Sequence, residues 1–163
     1  MKRLNDALYR ALQLLLTLLM ALLLVPVVLQ IASRFSTAIP HYIWTEELAR
    51  FCFVWVIMIG AMIAVRDGSH FELDLWGKPR STRSQAIGRL FVHAAMMLVA
   101  LTFVWFGYRF AQFGHAQHSE LSGLNMLAIH IAWPLAGAAF ALFLAEKIQA
   151  DVQSFRGTRH GRG

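Results

Sequence analysis

The run ALQLLLTLLMALLLVPVVLQI, residues 11–31, decides the fold class of this chain. Its 21 residues contain no charged side chain. A helix of that length covers roughly 31 Å, which is about the thickness of the hydrocarbon core of a bilayer. The apolar part of a cleaved signal is shorter, about 7–15 residues, and precedes an Ala-x-Ala-like site. Here the run ends in Ala32-Ser33-Arg34 without such a site, so we expect a retained transmembrane helix.

The composition of the whole chain is typical of a membrane protein. Hydrophobic residues make up 58% of the 163 residues, charged residues 15%, and the mean hydropathy is +0.53. An ordinary soluble domain carries roughly 25% charged residues. The net charge of +6 does not indicate nucleic-acid binding, because the basic residues lie between apolar runs and form no stripe. We therefore predict an all-α integral membrane protein.

Four transmembrane helices are predicted, at about residues 11–33, 45–65, 90–108 and 124–145. The second includes a polar start, because the apolar residues after Arg50 are too few to cross the core. With Thr45 as N-cap, Glu46 and Glu47 occupy the first turn, where the helix dipole favours acidic groups. Glu46 and Arg50 then stand four residues apart, in the favourable order for an ion pair.

The distribution of positive charge predicts the orientation. With the N-terminus inside, twelve of the 15 Lys and Arg residues lie on the cytoplasmic side, and the other three are Arg34, Arg50 and Arg109. Cytoplasmic loops carry such an excess, so both termini are expected in the cytoplasm. Residues 1–153 are predicted to form the membrane domain and residues 154–163 a disordered basic tail. Short interfacial helices are expected at residues 4–12, leading into the first span, and at residues 71–76.

Residues that could carry chemistry are few. His93 and His130 lie in neighbouring spans and suggest a membrane cytochrome, but their expected depths differ by roughly 16 Å, too far for one haem. All nine Asp and Glu residues lie at span ends or in loops, whereas a carrier needs ionisable groups near the midplane. We predict no catalytic residue, cofactor or metal site. A cytochrome-type subunit and an autonomous small transporter are the alternatives.

Small residues four apart indicate close helix packing, either within the chain or against a partner. The pairs are Gly60 with Ala64, Ala132 with Ala136, and Gly137 with Ala141.

The segment WTEELAR, Trp44 to Arg50, leads into an apolar helix that contains Trp55 and Gly60-Ala61 and continues through Ala64, Arg66, His70 and Asp74. This stretch resembles the signature of the small membrane subunit, the Q-type small permease, of tripartite ATP-independent periplasmic (TRAP) transporters. Arg34 at the end of the first span matches a basic position of that family. The layout of four spans in about 160 residues is similar as well.

The resemblance implies a non-catalytic subunit of the bacterial inner membrane that packs against a large multi-spanning permease subunit. In such a system a periplasmic solute-binding protein delivers an organic acid, often a carboxylate, and a sodium gradient drives its uptake through the large subunit. The resemblance also implies structural or partner-contacting roles for Arg34, Trp44, Glu46, Glu47, Arg50, Gly60, Arg66, His70 and Asp74. The acidic pair would bind Arg34, Arg50 or a partner, and the last three would organise the inner end of the second span. A solvated helix start and lipid-headgroup anchoring are the alternatives for these residues.

Overall fold

The computed structural model describes residues 2–35, 40, 42–68, 82–120 and 122–160. These residues form five helices, α1 (Lys2–Phe35), α2 (Ile43–Asp67), α3 (Thr82–His115), α4 (Leu127–His130) and α5 (Ala132–His160). Within these ranges the only strand-like pairing is a single bridge between His118 and Asn125. Four helical segments are long and apolar enough to cross a membrane, with α4 and α5 together supplying the fourth. The predicted all-helical membrane protein with four spans is confirmed.

The fourth span is interrupted at Ile131, between α4 and α5. Pro134 explains the interruption, because proline has no N–H to donate to the carbonyl of His130 one turn earlier. The next donor restores the pattern, since the Leu135 N–H bonds to the Ile131 carbonyl at 3.3 Å. The helix therefore continues across the membrane after one irregular turn.

The four spans lie in a row in the order α1, α2, α5, α3. α1 packs along α2, α2 packs along α5, and α5 packs along α3. In the part of the chain that the structure describes, α3 touches neither α1 nor α2, and α1 makes only a small contact with α5. The core lies where the central helices meet their neighbours, around Ile59, Phe143 and Leu144. A row leaves more helix surface open than a closed bundle does.

The closest helix contact joins α3 and α5, and it depends on glycine. A Cβ added at Gly137 would lie 2.7 Å from the Val104 nitrogen, and one added at Gly107 would lie 2.8 Å from the Pro134 nitrogen. Any side chain at either position would push the two backbones apart. The predicted packing role of Gly137 is therefore confirmed and assigned to a contact within this chain.

The helix ends differ from the predicted spans. α3 runs from Thr82 to His115, and α5 reaches His160, within the segment predicted to be disordered. A hydropathy pattern reports only the part of a helix that lies in lipid, whereas helical hydrogen bonding continues into the polar region. The expected lead-in helix at residues 4–12 forms the first turns of α1, and the one at residues 71–76 lies outside the described residues.

The predicted N-cap of the second span was wrong. α2 begins at Ile43, and its N-cap is Tyr42, whose side chain makes no capping hydrogen bond. Thr45 lies inside the first turn, where its hydroxyl donates to the Tyr42 carbonyl at 2.6 Å. The helix therefore starts three residues earlier than an N-cap at Thr45 would place it.

Candidate functional site

Polar side chains collect at the two ends of the helix row, and the apolar middle separates them. We call the end that holds the α3–α4 connection the hairpin end, and the end that holds the start of α1 and the C-terminal part of α5 the terminal end. The hairpin end contains Glu47, and the terminal end contains Arg66.

Glu47 is a buried carboxylate at the hairpin end. Only 2% of the residue is exposed, although it lies in the first turn of α2. Its two oxygens accept no well-aligned hydrogen bond from the described residues, and the Arg50 guanidinium lies 3.9 Å away. The side chains of Ser119 and Ser122 also interact with it. The dipole at the N-terminus of α2 also favours a negative charge here. Several weak interactions, and no single strong one, therefore stabilise the buried carboxylate.

The connection between α3 and α4 is an ordered hairpin. The Ser119 N–H donates to the Leu124 carbonyl at 2.8 Å, and the Met126 N–H donates to the Gln117 carbonyl at 3.0 Å. Gly123 turns the chain with φ = 70°, a conformation that favours glycine. This hairpin covers Glu47, so the burial of the carboxylate depends on a segment more than seventy residues away in the chain.

Asn125 fixes the start of α4 beneath this hairpin. Its side-chain oxygen accepts the Leu127 N–H at 2.8 Å, and its amide donates to the His115 carbonyl at 3.0 Å. The Trp55 indole then donates to the Ala128 carbonyl at 2.9 Å, which ties α4 to α2. These bonds attach the hairpin end of the fourth span to its neighbours on both sides.

Arg66 is the centre of the terminal end. Its guanidinium forms an ion pair with Asp6 and lies 4.9 Å from the ring centroid of Tyr9 and 5.6 Å from that of Phe143. Cations over aromatic faces are favoured by the ring quadrupole. A single side chain of α2 thereby contacts both α1 and α5.

Further polar links at this end join α5 to each of the other three long helices. Asn5 of α1 donates to the Glu146 carboxylate of α5. The Lys147 ammonium donates to the Val65 carbonyl of α2 at 2.8 Å, which satisfies a carbonyl of its last turn. His93 of α3 lies 2.6 Å from the Asp151 carboxylate of α5. Every pair of helices in contact along the row is thus joined by at least one polar link here. These links are Asp6–Arg66, Asn5–Glu146, Lys147–Val65 and His93–Asp151.

The face of α2 between the two ends is open. It carries Glu46, Arg50, Phe53, Ile57, Gly60 and Ala64, which recur every three or four residues. Phe53 and Ile57 are about half exposed, and a Cβ added at Gly60 would meet no atom within 4 Å. The space beside Gly60 is therefore empty, in contrast to that beside Gly107 and Gly137.

The structure places the predicted site residues in different environments. Trp44 and its neighbour Tyr42 are both exposed, with ring centroids 6.0 Å apart. Arg34 is exposed at the end of α1 and forms no ion pair within the described part of the chain. The Arg50 guanidinium lies 3.9 Å from the Glu47 carboxylate, one of the pairings expected for the acidic pair, whereas no ion pair between Glu46 and Arg50 forms within the described part of the chain. His70 and Asp74 lie outside the described residues.

The two intramembrane histidines lie far apart. His93 pairs with Asp151 at the terminal end, whereas His130 stacks on Phe110 with ring centroids 3.9 Å apart. Phe110 lies about 25 Å further along α3 than His93. Among the described residues no group of three or more His, Cys, Asp or Glu side chains is arranged to hold a metal ion. The separation of the two imidazoles therefore confirms the expectation that they cannot share one haem.

Sequence reasoning missed most of the terminal-end network. Asn5, Asp6, Glu146, Lys147 and Asp151 were treated only as charges or polar groups at the membrane surface. Their signal is positional, because each stands just beyond the end of the apolar run of its span. The pairing of these side chains could not be predicted, because the sequence does not reveal the order of the helices in the row.

Comparisons with known proteins agree with this architecture. The family described as tripartite ATP-independent periplasmic transporters, DctQ component, matches residues 23–154. The sialic acid TRAP transporter small permease protein SiaQ of Vibrio cholerae is 27% identical over 135 residues, which cover 80% of this chain and 75% of that protein.

Two longer permeases are also similar. The isethionate TRAP transporter permease protein DctMQ of Oleidesulfovibrio alaskensis is 30% identical over 63 residues, 39% of this chain and 10% of that protein. The sialic acid TRAP transporter permease protein SiaT of Haemophilus influenzae is 29% identical over 128 residues, 77% of this chain and 20% of that protein. Since the family match covers most of the chain, this protein belongs to the DctQ component family of TRAP transporters, a transport component and not an enzyme.

Proposed function

We propose that this chain is the small membrane subunit of a TRAP-type secondary transporter and that it braces a large permease subunit. The observation that carries the proposal is that DctMQ and SiaT each contain a segment similar to this chain. In those proteins the matched segment spans 10% and 20% of a much longer permease polypeptide. Segments joined in one chain stay at high effective concentration, which favours a stable contact between them.

The open face of α2 is the surface that best suits this partner. Gly60 and Ala64 permit close approach of another helix, and Phe53 and Ile57 supply apolar surface beside them. Glu46 and Arg50 extend the same face toward the hairpin end, where polar side chains can fix the register of a partner. The proposal also gives Arg34, Trp44 and Glu47 structural or partner-contacting roles in the same assembly.

The transport reaction itself is assigned to the partner. In the described spans, the stretches through the middle of the membrane carry no Asp, Glu, Lys or Arg. Glu47 is the only fully buried carboxylate among the described residues, and it lies at one end under the hairpin. An autonomous transporter would need ionisable groups near the midplane, so solute and sodium sites belong in the large subunit.

The remaining features of the system follow the family resemblance. We propose that the complex lies in a bacterial inner membrane with both termini of this chain in the cytoplasm. A periplasmic solute-binding protein would deliver an organic anion, whose uptake a sodium gradient drives. The names of the relatives mention sialic acid and isethionate, both organic anions, and support this solute class without selecting a member of it.

Co-purification with matched glycine variants tests the proposal. The full chain, tagged at its C-terminus, is purified from native membranes in mild detergent, and its partners are identified by mass spectrometry. We expect one much larger multi-spanning protein, and we expect Gly60→Phe to reduce its yield strongly. Gly88→Phe is the control, because Gly88 of α3 also has no atom within 4 Å of an added Cβ.

Recovery of the chain alone in several detergents would contradict a bracing role and favour an autonomous transporter. If the natural chain and both variants recover the partner in equal yield, the chain has a large partner but does not contact it through the open face of α2.

A further inference from the structure

An apolar groove lies between α3 and α5, on the part of the row farthest from α1. It has a volume of about 600 Å³ and is lined by Thr102, Phe103, Phe106, Gly107, Arg109, Phe110, Phe113 and Trp133. The volume falls within the roughly 300–1,000 Å³ of sites that bind small molecules. From Thr102 to Phe113 the groove follows α3 for about 16 Å, or half the thickness of the hydrocarbon core.

Arg109 gives this groove one positive charge. Thr102, Phe106, Arg109 and Phe113 recur at spacings of four, three and four residues, so they lie on one face of α3. All four are exposed, and Phe106 and Phe113 are each about 60% exposed. No carboxylate among the described residues lies within 4.0 Å of the Arg109 guanidinium.

An unpaired guanidinium beside an apolar groove has specific chemical requirements. In lipid it needs an anion or water for its donors, and a phosphate group matches its planar, forked geometry. The aromatic side chains toward the middle of α3 need an apolar occupant. A phospholipid satisfies both requirements with one molecule, because an acyl chain can extend from a phosphate on Arg109 along α3 past Phe106 to Thr102, toward the middle of the span.

We propose that this groove holds one phospholipid, with its phosphate on Arg109 and an acyl chain along Thr102, Phe106 and Trp133. A helix of a partner protein is the weaker candidate, because it would have to place an acidic residue at the membrane boundary opposite Arg109. The groove also lies on α3, which does not touch α2 in the described residues, so its occupant and the proposed α2 partner can bind together.

Photoaffinity labelling with a lipid tests the proposal without reference to transport. The full chain, with any proteins that accompany it, is reconstituted in vesicles of phosphatidylethanolamine and phosphatidylglycerol. A small fraction of the lipid carries a diazirine in its acyl chain, and mass spectrometry maps the labelled residues. We expect labelling concentrated at residues 102–113 and at Trp133.

Three variants separate a binding site from general contact with lipid. Arg109→Gln should lower groove labelling about tenfold, as expected for the loss of one charge-assisted hydrogen bond. Thr102→Trp should lower it by filling the groove, and Arg10→Gln, which changes another exposed arginine, should have no effect. The proposal would be overturned if the open surface of α1 were labelled as strongly as the groove and Arg109→Gln left the labelling unchanged. An unlabelled groove would overturn it as well.

Discussion

At the scale of single residues, the position of Glu47 shows how a charged side chain can serve a structural role at a membrane surface. The carboxylate is buried, yet it accepts no well-aligned hydrogen bond from a described residue. Its surroundings are the N-terminus of α2, the guanidinium of Arg50 and the side chains of Ser119 and Ser122. We interpret Glu47 as the residue that holds the α3–α4 hairpin against α2.

Removal of the Glu47 carboxylate should therefore loosen the hairpin. In Glu47→Ala we expect faster hydrogen exchange at the amides of Ser119, Gly123 and Met126, whose N–H groups form the hairpin bonds. Glu46→Ala is the matched control, because its side chain is exposed on the open face of α2. Equal exchange in the natural chain and in Glu47→Ala would show that the hairpin does not depend on this carboxylate.

Arg66 contacts side chains of two other helices as well as lying on α2. Its substitution should therefore destabilise the chain more than substitution of its ion-pair partner Asp6. The pair with Asp6 is partly exposed, with 24% and 54% of the two side chains accessible, and exposed pairs contribute only about 0.2–1 kcal/mol. The contacts with Tyr9 and Phe143 each add about 0.5–1 kcal/mol. We expect Arg66→Gln to destabilise the chain by about 1–2 kcal/mol and Asp6→Asn by less.

Thermal unfolding in detergent measures both changes at low and high salt. High salt should reduce the effect of Asp6→Asn more than that of Arg66→Gln, because only the ion pair is strongly screened. Equal destabilisation by the two substitutions would mean that the aromatic contacts of Arg66 contribute nothing.

At the scale of helices, two glycines in different environments separate packing within the chain from packing against a partner. A Cβ at Gly137 would lie 2.7 Å from the Val104 nitrogen, whereas one at Gly60 would meet nothing. We expect Gly137→Ala to destabilise the isolated chain by about 1–3 kcal/mol through overpacking. Gly60→Ala should be neutral or stabilising, since alanine favours a helix over glycine by about 0.5–1 kcal/mol.

Unfolding of the purified chain in detergent compares the two substitutions directly. A similar loss of stability in both would show that Gly60 also packs within this chain, and its face of α2 would then be unavailable to a partner.

The sequence predicted the number and type of the helices but not their order in space. Four apolar runs were enough to place the spans, because lipid requires about 20 apolar residues in each. The α3–α5 contact was only partly foreseen, since the small residues around Gly137 indicate a close approach without naming its partner. Glu47 was recognised as a candidate, but its burial depends on the hairpin at Ser119 and Ser122, which the apolar pattern does not position.

At the scale of the whole molecule, the row of helices explains how a small protein can serve as a brace. A closed bundle buries the faces of its helices against each other, whereas the row leaves α1, α3 and one face of α2 open to lipid or to partners. The polar links at the terminal end hold neighbouring helices together without closing the row. A large subunit can therefore pack on one side while lipid covers the other.

Orientation is a property of the whole molecule that cysteine labelling measures. The natural chain contains one cysteine, Cys52, which is buried, so single introduced cysteines report their own accessibility. We expect Glu120→Cys in the hairpin to react with a membrane-impermeant maleimide in spheroplasts, whose outer membrane has been removed and whose inner membrane is intact. Arg10→Cys should react only after the membrane is opened. The reverse pattern would place both termini outside and contradict the orientation derived from the basic residues.

Site-specific photo-cross-linking through α2 tests the bracing role most directly. Benzoylphenylalanine is placed at Ile57, on the open face of α2, or at Leu98, an exposed position on α3, and the chain is expressed in its native membrane. We predict that light links the Ile57 variant, and not the Leu98 variant, to one large multi-spanning permease. Absence of any protein adduct from Ile57, with expression equal to that of the natural chain, would contradict the proposal that this small subunit braces its partner through α2.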